Sequence, residues 1–91
     1  MAVQVLIPTP LRKFTNNMET VSASAGTVTT MITELENLYP GISKSLLDDR
    51  GELRRFVNVY VNEEDIRFLE GKDTLLNDGD AVSIVPAIAG G

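Results

Sequence analysis

The sequence predicts an α+β domain in which one main helix packs across one face of a mixed sheet of four to five strands. Several short segments alternate apolar and polar residues with the period of a strand, and one segment has the apolar spacing of a helix. The chain has 91 residues, of which 43% are hydrophobic and 23% charged. This length and composition suit one small globular domain.

The first two strands are predicted near the amino terminus. In residues 3–8 the apolar side chains of Val3, Val5 and Ile7 alternate with their neighbours, and two prolines end the strand. A weaker strand follows at residues 19–23, after turn-forming asparagines. We interpret the pair as a hairpin with a long loop.

The main helix begins after Gly26, with Thr27 as its predicted N-cap, and ends before Pro40 and Gly41. Its apolar residues recur at helical spacing and predict one buried stripe, formed by Val28, Met31, Ile32, Leu35 and Leu38. The short connector at residues 42–47 is expected to form one further helical turn.

The strongest strand is predicted at residues 56–62, where three valines share one face and two aromatic residues lie on the other. A turn leads into a short strand at residues 66–68, and an Asp-Gly turn precedes the last strand at residues 81–86. We expect the first and last strands to be central and parallel, because the helix between them supplies the crossover.

Composition excludes several classes of function. The sequence contains no His and no Cys, which removes the usual general base, the thiol nucleophile and the commonest metal ligands. We therefore expect no catalytic residues, no metal site and no independent enzyme. The formal net charge of −5 opposes binding to nucleic acid, and Arg54-Arg55 with nearby Arg50 are interpreted as a solvated strand entrance. With no signal peptide or membrane span in the sequence, we expect a cytoplasmic protein without membrane contacts.

The last residues, Gly90 and Gly91, follow the final predicted strand. Glycine carries no side chain, so this segment is slim, and an extended backbone from Pro86 reaches about 17 Å. It could enter a narrow channel and deliver the α-carboxylate of Gly91. The alternative is an ordinary frayed terminus. We expect a folded domain at residues 1–86 and a flexible tail at residues 87–91.

The predicted order β-β-α-β-β-β matches the ubiquitin-like β-grasp fold. Four further segments are informative: residues 55–62, Asp65-Ile66-Arg67-Phe68, Asp78-Gly79-Asp80 and Pro86-Ala87-Ile88-Ala89-Gly90-Gly91. Through these segments the chain resembles the ubiquitin-like sulfur carriers of the MoaD/ThiS type, and within them the CysO-type carriers of cysteine biosynthesis.

The resemblance implies a carrier function. An E1-like enzyme would adenylate the carboxylate of Gly91 with ATP, and sulfur would displace AMP to leave a thiocarboxylate. ATP would be used by that enzyme, and no cofactor would be bound permanently. The acceptor would be a cysteine synthase-like enzyme or the large subunit of molybdopterin synthase. The stem of the tail, expected to lie in a partner's channel, is formed by Ala87, Ile88, Ala89 and Gly90.

A partner also needs a surface on the folded domain. The outward faces of the three central strands are predicted to present one apolar docking patch, formed by Leu6, Phe56, Tyr60 and Val85. The alternative is that the connector at residues 42–47 covers part of it.

Other functions remain open at this point. The chain could be the small subunit of molybdopterin synthase or the thiazole-pathway sulfur carrier. Outside sulfur transfer, it could be a ubiquitin-like protein modifier or a non-covalent binding subunit.

Overall fold

The structure is a computed structural model that describes residues 2–86. Its seven strands are β1 (Ala2–Leu6), β2 (Thr20–Ser24), β3 (Gly26–Thr27), β4 (Val57–Val61), β5 (Glu64–Asp65), β6 (Leu75–Leu76) and β7 (Ala81–Pro86). Five of them form the main sheet in the order β2-β1-β7-β4-β5, and β3 pairs with β6 in a separate two-stranded ladder.

The last strand, β7, lies at the centre of the main sheet. It runs parallel to β1, with Val5 opposite Val82, and antiparallel to β4, with Val59 opposite Ile84. The β1–β2 and β4–β5 pairs are antiparallel. The predicted mixed sheet and its parallel crossover are therefore confirmed.

The main helix, α1 (Val28–Leu38), begins where the sequence predicts. The hydroxyl of Thr27 accepts a hydrogen bond from the backbone N–H of Thr30 at 3.2 Å, which satisfies one free donor of the first turn. The connector forms the short helix α2 (Ile42–Leu46). The prediction that Leu38 belongs to the buried stripe was wrong: it is 54% exposed, because it lies in the last turn, just before the C-cap at Tyr39.

One face of the sheet and the apolar sides of both helices form the core. From the sheet the core takes alternating residues of its strands, and α2 closes one end of it with Ile42 and Leu46. The fully buried residues of α1 and the sheet include Val3, Val5, Val28, Met31, Leu35, Val59 and Val82. Burial of this face holds the helices on the sheet, since burying apolar surface supplies most of the free energy of folding.

The structure corrects the strand predicted at residues 66–68, which is a 3-10 helix (Ile66–Phe68). Asn62 and Glu63 have φ angles of 50° and 73° and form a two-residue hairpin turn, so that pairing with β4 resumes already at Glu64. The carboxylate of Asp65 then accepts a hydrogen bond from the backbone N–H of Arg67 at 2.9 Å, which starts the 3-10 turn. The β3–β6 ladder was not predicted.

Two other short 3-10 helices lie in loops, Thr9–Phe14 between β1 and β2 and Gly71–Asp73 before β6. Within residues 2–86, no helix has the length and apolar character needed to cross a membrane.

Candidate functional site

The predicted tail residues Ala87, Ile88, Ala89, Gly90 and Gly91 lie outside the described residues. The structure does fix the point from which they depart. Pro86 is the last residue of β7 and is paired with Val57 of β4. Because β7 is held between two neighbouring strands, the root of the tail has a defined position at one end of the sheet.

The predicted docking patch lies on the face of the sheet opposite the helices. Leu6, Phe56 and Val85 are 52%, 51% and 41% exposed, and Tyr60 is partly exposed. Residues adjacent to them in the chain, such as Val59 and Ile84, point into the core instead. The strand alternation thus places Leu6, Tyr60 and Val85 on one outer face, and Phe56 lies in the turn just before β4.

The register of the sheet shows that this patch is mixed rather than continuously apolar. Ser83 lies opposite Leu6 on one side and opposite Tyr60 on the other, and Asn58 lies opposite Val85. Ser83 and Asn58 therefore belong to the candidate site, although the sequence analysis did not name them. Alternation along the strand could have identified Asn58, which lies two positions from Tyr60 on the same face. Only the strand register could have identified Ser83, because alternation does not tell which residues of different strands are neighbours.

The connector does not cover the patch. In α2, Ile42 and Leu46 are buried in the core, and α2 packs against α1 and the 3-10 helix that follows β1. Ser45, which lies in α2, borders a groove beside Pro86 but leaves Phe56 half exposed. The outer face is accordingly open to a partner over the described residues.

A charged network borders the patch. The guanidinium of Arg67 donates to the carboxylate of Asp65, with Nη2 2.7 Å from Oδ2, and the same Nη2 donates to Oδ1 of Asn58 at 2.7 Å. The side-chain hydrogen bonds between Arg67 and Asp65 hold the pKa of Asp65 below its usual range and raise the pKa of Arg67. Because Asp65 lies opposite Tyr60, the network holds the guanidinium group of Arg67 at the edge of the outer face.

Two open grooves flank the root of the tail. One, of about 310 Å³, runs along the β1 side and is lined by Leu6, Arg12 and Val85 among others. The other, of about 940 Å³, lies on the β4 side and includes Arg55 and Phe56. Pro86 borders both grooves, so it stands between them.

The side chains of this site can form apolar contacts, hydrogen bonds and ion pairs. Residues 2–86 contain no cluster of three or more side chains suited to hold a metal ion. Every buried side-chain nitrogen and oxygen of these residues has a hydrogen-bond partner within the protein. The arrangement offers a rigid tail root, an exposed mixed face and several arginines.

The comparisons with known proteins agree with this geometry. The model of the ThiS family matches residues 5–91. The sulfur carrier protein CysO of Mycobacterium tuberculosis is 52% identical to this chain over 93 residues, which cover 100% of both chains. The small archaeal modifier protein 3 of Haloferax volcanii is 43% identical over 65 residues, or 71% of this chain and 70% of that protein.

A solved structure gives the same fold. CysO in the crystal structure of the Amycolatopsis orientalis BexX/CysO complex superimposes with a TM-score of 0.92 at 44% sequence identity. The match covers 99% of this chain and 100% of that chain. The predicted ubiquitin-like β-grasp fold is thereby confirmed.

Proposed function

We propose, from the premise that this chain belongs to the ThiS family, that it is a sulfur carrier protein serving cysteine biosynthesis. The observation that carries this proposal is the 52% identity to a sulfur carrier over the whole of both chains. The chain is then a protein carrier and not itself an enzyme, in agreement with a sequence that has neither His nor Cys.

The chemistry would take place on the carboxylate of Gly91. Attack of this carboxylate on the α-phosphate of ATP forms an acyl adenylate and releases pyrophosphate. A hydrosulfide nucleophile then attacks the acyl carbon, AMP leaves with the electrons of the broken C–O bond, and the product is a thiocarboxylate. Adenylation is needed because a free carboxylate is a poor electrophile, whereas the mixed anhydride has a good leaving group.

The fold suits such a carrier. The central position of β7 supports the root of the tail, and an extended segment of five residues beyond Pro86 spans about 17 Å. That is sufficient for Gly91 to reach a catalytic centre inside a channel while the folded domain stays outside. Ile88 is the one large side chain of the stem and would fix its register there.

The carrier acts as a co-substrate of two partner enzymes in this proposal. An E1-like enzyme would adenylate it and transfer sulfur, and a cysteine synthase-like enzyme would accept the sulfur. Both would dock on the outer face around Phe56 and Tyr60. Because the first reaction consumes ATP, we place it in the cytoplasm.

Intact mass spectrometry tests the proposal. The chain is co-expressed with the E1-like enzyme of its own genome, and we expect a mass increase of one oxygen-to-sulfur exchange that fragmentation localises to Gly91. A variant with one alanine added after Gly91 should show no exchange. A control with the same alanine added before Met1 should react as the unmodified chain does.

Equal sulfur incorporation in both extended variants would refute a reaction at Gly91. The unmodified chain could instead incorporate no sulfur while the activating enzyme still consumes ATP when the chain is added. That result would refute the sulfur-carrier function and show that the chain is only adenylated.

A second candidate, a ubiquitin-like protein modifier, is favoured by the similarity to the small archaeal modifier protein 3. It uses the same activation but ends in an isopeptide bond between Gly91 and a lysine. Tryptic peptide mapping of proteins from the native cell distinguishes the two. Lys72 is the last tryptic site of the chain, so a modifier leaves residues 73–91 on the target lysine, whereas a sulfur carrier leaves no such branched peptide.

A further inference from the structure

We propose that the end of the sheet from which the tail departs is a basic docking rim, formed by Arg12, Arg54 and Arg55, that binds carboxylates at the mouth of the partner's channel. The inference rests on the proposed function, since it concerns the enzyme that receives residues 87–91. It adds the chemistry of the partner surface. The sequence analysis interpreted the Arg54-Arg55 pair as a solvated strand entrance, and the structure places both residues, exposed, just before β4.

The topology of the sheet defines two ends of the molecule. Because β7 is parallel to β1 and antiparallel to β4, the carboxyl ends of β1 and β7 lie beside the amino end of β4. The tail root and the residues just before β4 therefore meet at one end. The turns that precede β7 and follow β4 meet at the opposite end.

The far end is acidic. It contains Asp78 and Asp80 from the turn before β7, and Glu63 and Glu64 from the turn after β4. The amide of Asn62 donates to Oδ1 of Asp80 at 2.9 Å, which joins the two turns. None of the four carboxylates has an ion pair with another described residue.

The tail end carries arginines on both sides of Pro86. Arg12 lines the groove on the β1 side, where its Nε donates to the carbonyl of Ile7 at 3.0 Å and its Nη1 lies 4.0 Å from the carboxylate of Glu19. Arg54 and Arg55 line the groove on the β4 side, together with Asp48 and Glu52. Three arginines thus border the two grooves on either side of Pro86.

Arg54 and Arg55 are exposed and keep their charge available. The nearby acids have other partners among the described residues: Asp48 pairs with Arg50 at 3.5 Å, and Glu52 with Lys72 at 3.1 Å. Arg54 and Arg55 have no ion pair within residues 2–86.

Distance makes the two ends act separately. The six residues of β7 separate them by about 17 to 20 Å, at roughly 3.3 Å per residue. This exceeds the screening length of about 8 Å at physiological ionic strength. A docking protein therefore interacts electrostatically with the end that it approaches, not with the net charge of −5.

The occupant that fits the rim is an acidic protein surface. An acidic partner is repelled by the far end and attracted by the arginines, so the complementary charges orient the carrier with its tail toward the channel. A phosphate backbone would meet the same arginines, but over its length it would also meet the acidic remainder of the chain.

The first experiment measures the association rate with the E1-like enzyme of the same genome, at low and at high salt. We expect Arg54→Gln with Arg55→Gln to slow association about tenfold at low salt, with little effect at high salt, because steering depends on ionic strength. The matched control, Glu63→Gln with Glu64→Gln, removes two charges from the far end and should change the rate less than about twofold.

Arg54→Gln also removes the hydrogen bond from Nε to the carbonyl of Lys44. Arg55→Gln alone therefore provides a second variant, since Arg55 has no side-chain hydrogen bond to another described residue. It should unfold at the same temperature as the unmodified chain and still slow association. Unchanged rates for both arginine variants, or equal and opposite changes in the glutamate control, would overturn the rim.

A second measurement is independent of sulfur transfer. Titration of the ¹⁵N-labelled chain with a hexaglutamate peptide should shift the amide resonances around Arg12, Arg54 and Arg55 and leave those around Glu63 and Asp80 unchanged. Shifts confined to the arginines would support the rim whether or not the chain carries sulfur. If the mass measurement shows no sulfur on Gly91 while these shifts remain, the proposed function is rejected and the rim is not. Uniform shifts, or preferential shifts with a single-stranded oligonucleotide of equal charge, would reject the rim alone.

Discussion

Strands β4 and β7 have an inner face, which packs against the helices, and an outer face, which is exposed to solvent. Val59 and Ile84 point inward, are 2% and 3% exposed, and pack beneath the helices. Their neighbours Asn58 and Val85 point outward, and Val85 is 41% exposed. An apolar residue on this sheet therefore stabilises the fold when it lies on the inner face, and it is available to a partner when it lies on the outer face.

The largest expected effect tests this difference directly. Ile84→Ala removes buried methyl groups and should lower the free energy of unfolding by about 2 to 4 kcal/mol. Val85→Ala, one residue further along β7, should change it by less than about 0.5 kcal/mol, because its side chain already contacts solvent. Urea denaturation followed by circular dichroism measures both. Similar losses in the two variants would show that the outer face is also packed.

The second effect concerns binding through the outer face. Phe56→Asp should raise the Kd for the E1-like enzyme at least about tenfold, since an aromatic side chain that the partner would bury is replaced by a charge. Its thermal unfolding should stay unchanged, because Phe56 is 51% exposed. The matched control is Phe68→Asp, which places the same substitution at an 85% exposed phenylalanine outside the docking patch.

Calorimetric titration of both variants compares them. If Phe68→Asp weakens binding as much as Phe56→Asp does, the docking surface lies around the 3-10 helix at Ile66–Phe68 and not on the patch.

The smallest effect concerns the network at the border of the two faces. Asp65→Asn keeps the shape of the side chain but removes the charge that the guanidinium of Arg67 binds, and should cost about 1 to 2 kcal/mol at neutral pH. Because the pKa of Asp65 is lowered in the folded state, this stabilisation is present above the usual carboxyl pKa. It is lost as pH falls through the lowered pKa.

Unfolding measured from neutral to acid pH checks this sign. The difference in stability between Asp65→Asn and the unmodified chain should shrink as the pH falls. A difference that stays constant would show that the carboxylate is stabilised equally in the unfolded chain.

Most of the inner structure could be predicted from sequence. The apolar period found the helix and its N-cap at Thr27, and the alternating segments found β1, β4 and β7. These signals are strong because burial imposes them on every second, or every third and fourth, residue. The short ladder of β3 and β6 was not predicted, since a two-residue strand such as Leu75–Leu76 is too short to show an alternating apolar pattern.

The outer face could be predicted only in part. Alternation predicted the outward orientation of Leu6, Tyr60 and Val85, which lie in strands, whereas Phe56 precedes β4 and the position of Ser83 between Leu6 and Tyr60 depends on strand register. Register is set by long-range pairing, which one sequence does not display. The arginine rim likewise depends on strands that are distant in the chain.

The parallel pairing of β1 with β7 has a consequence for biosynthesis. The backbone N–H of Ala2 reaches Oδ1 of Asp78, 76 positions away, at 2.9 Å. The centre of the sheet therefore closes only after almost the whole domain has left the ribosome, and contacts of such sequence separation form slowly. Until then β1 has only β2 as a neighbour in the sheet and an exposed edge. Loss of the last strand would therefore open the sheet at its centre and not at its margin.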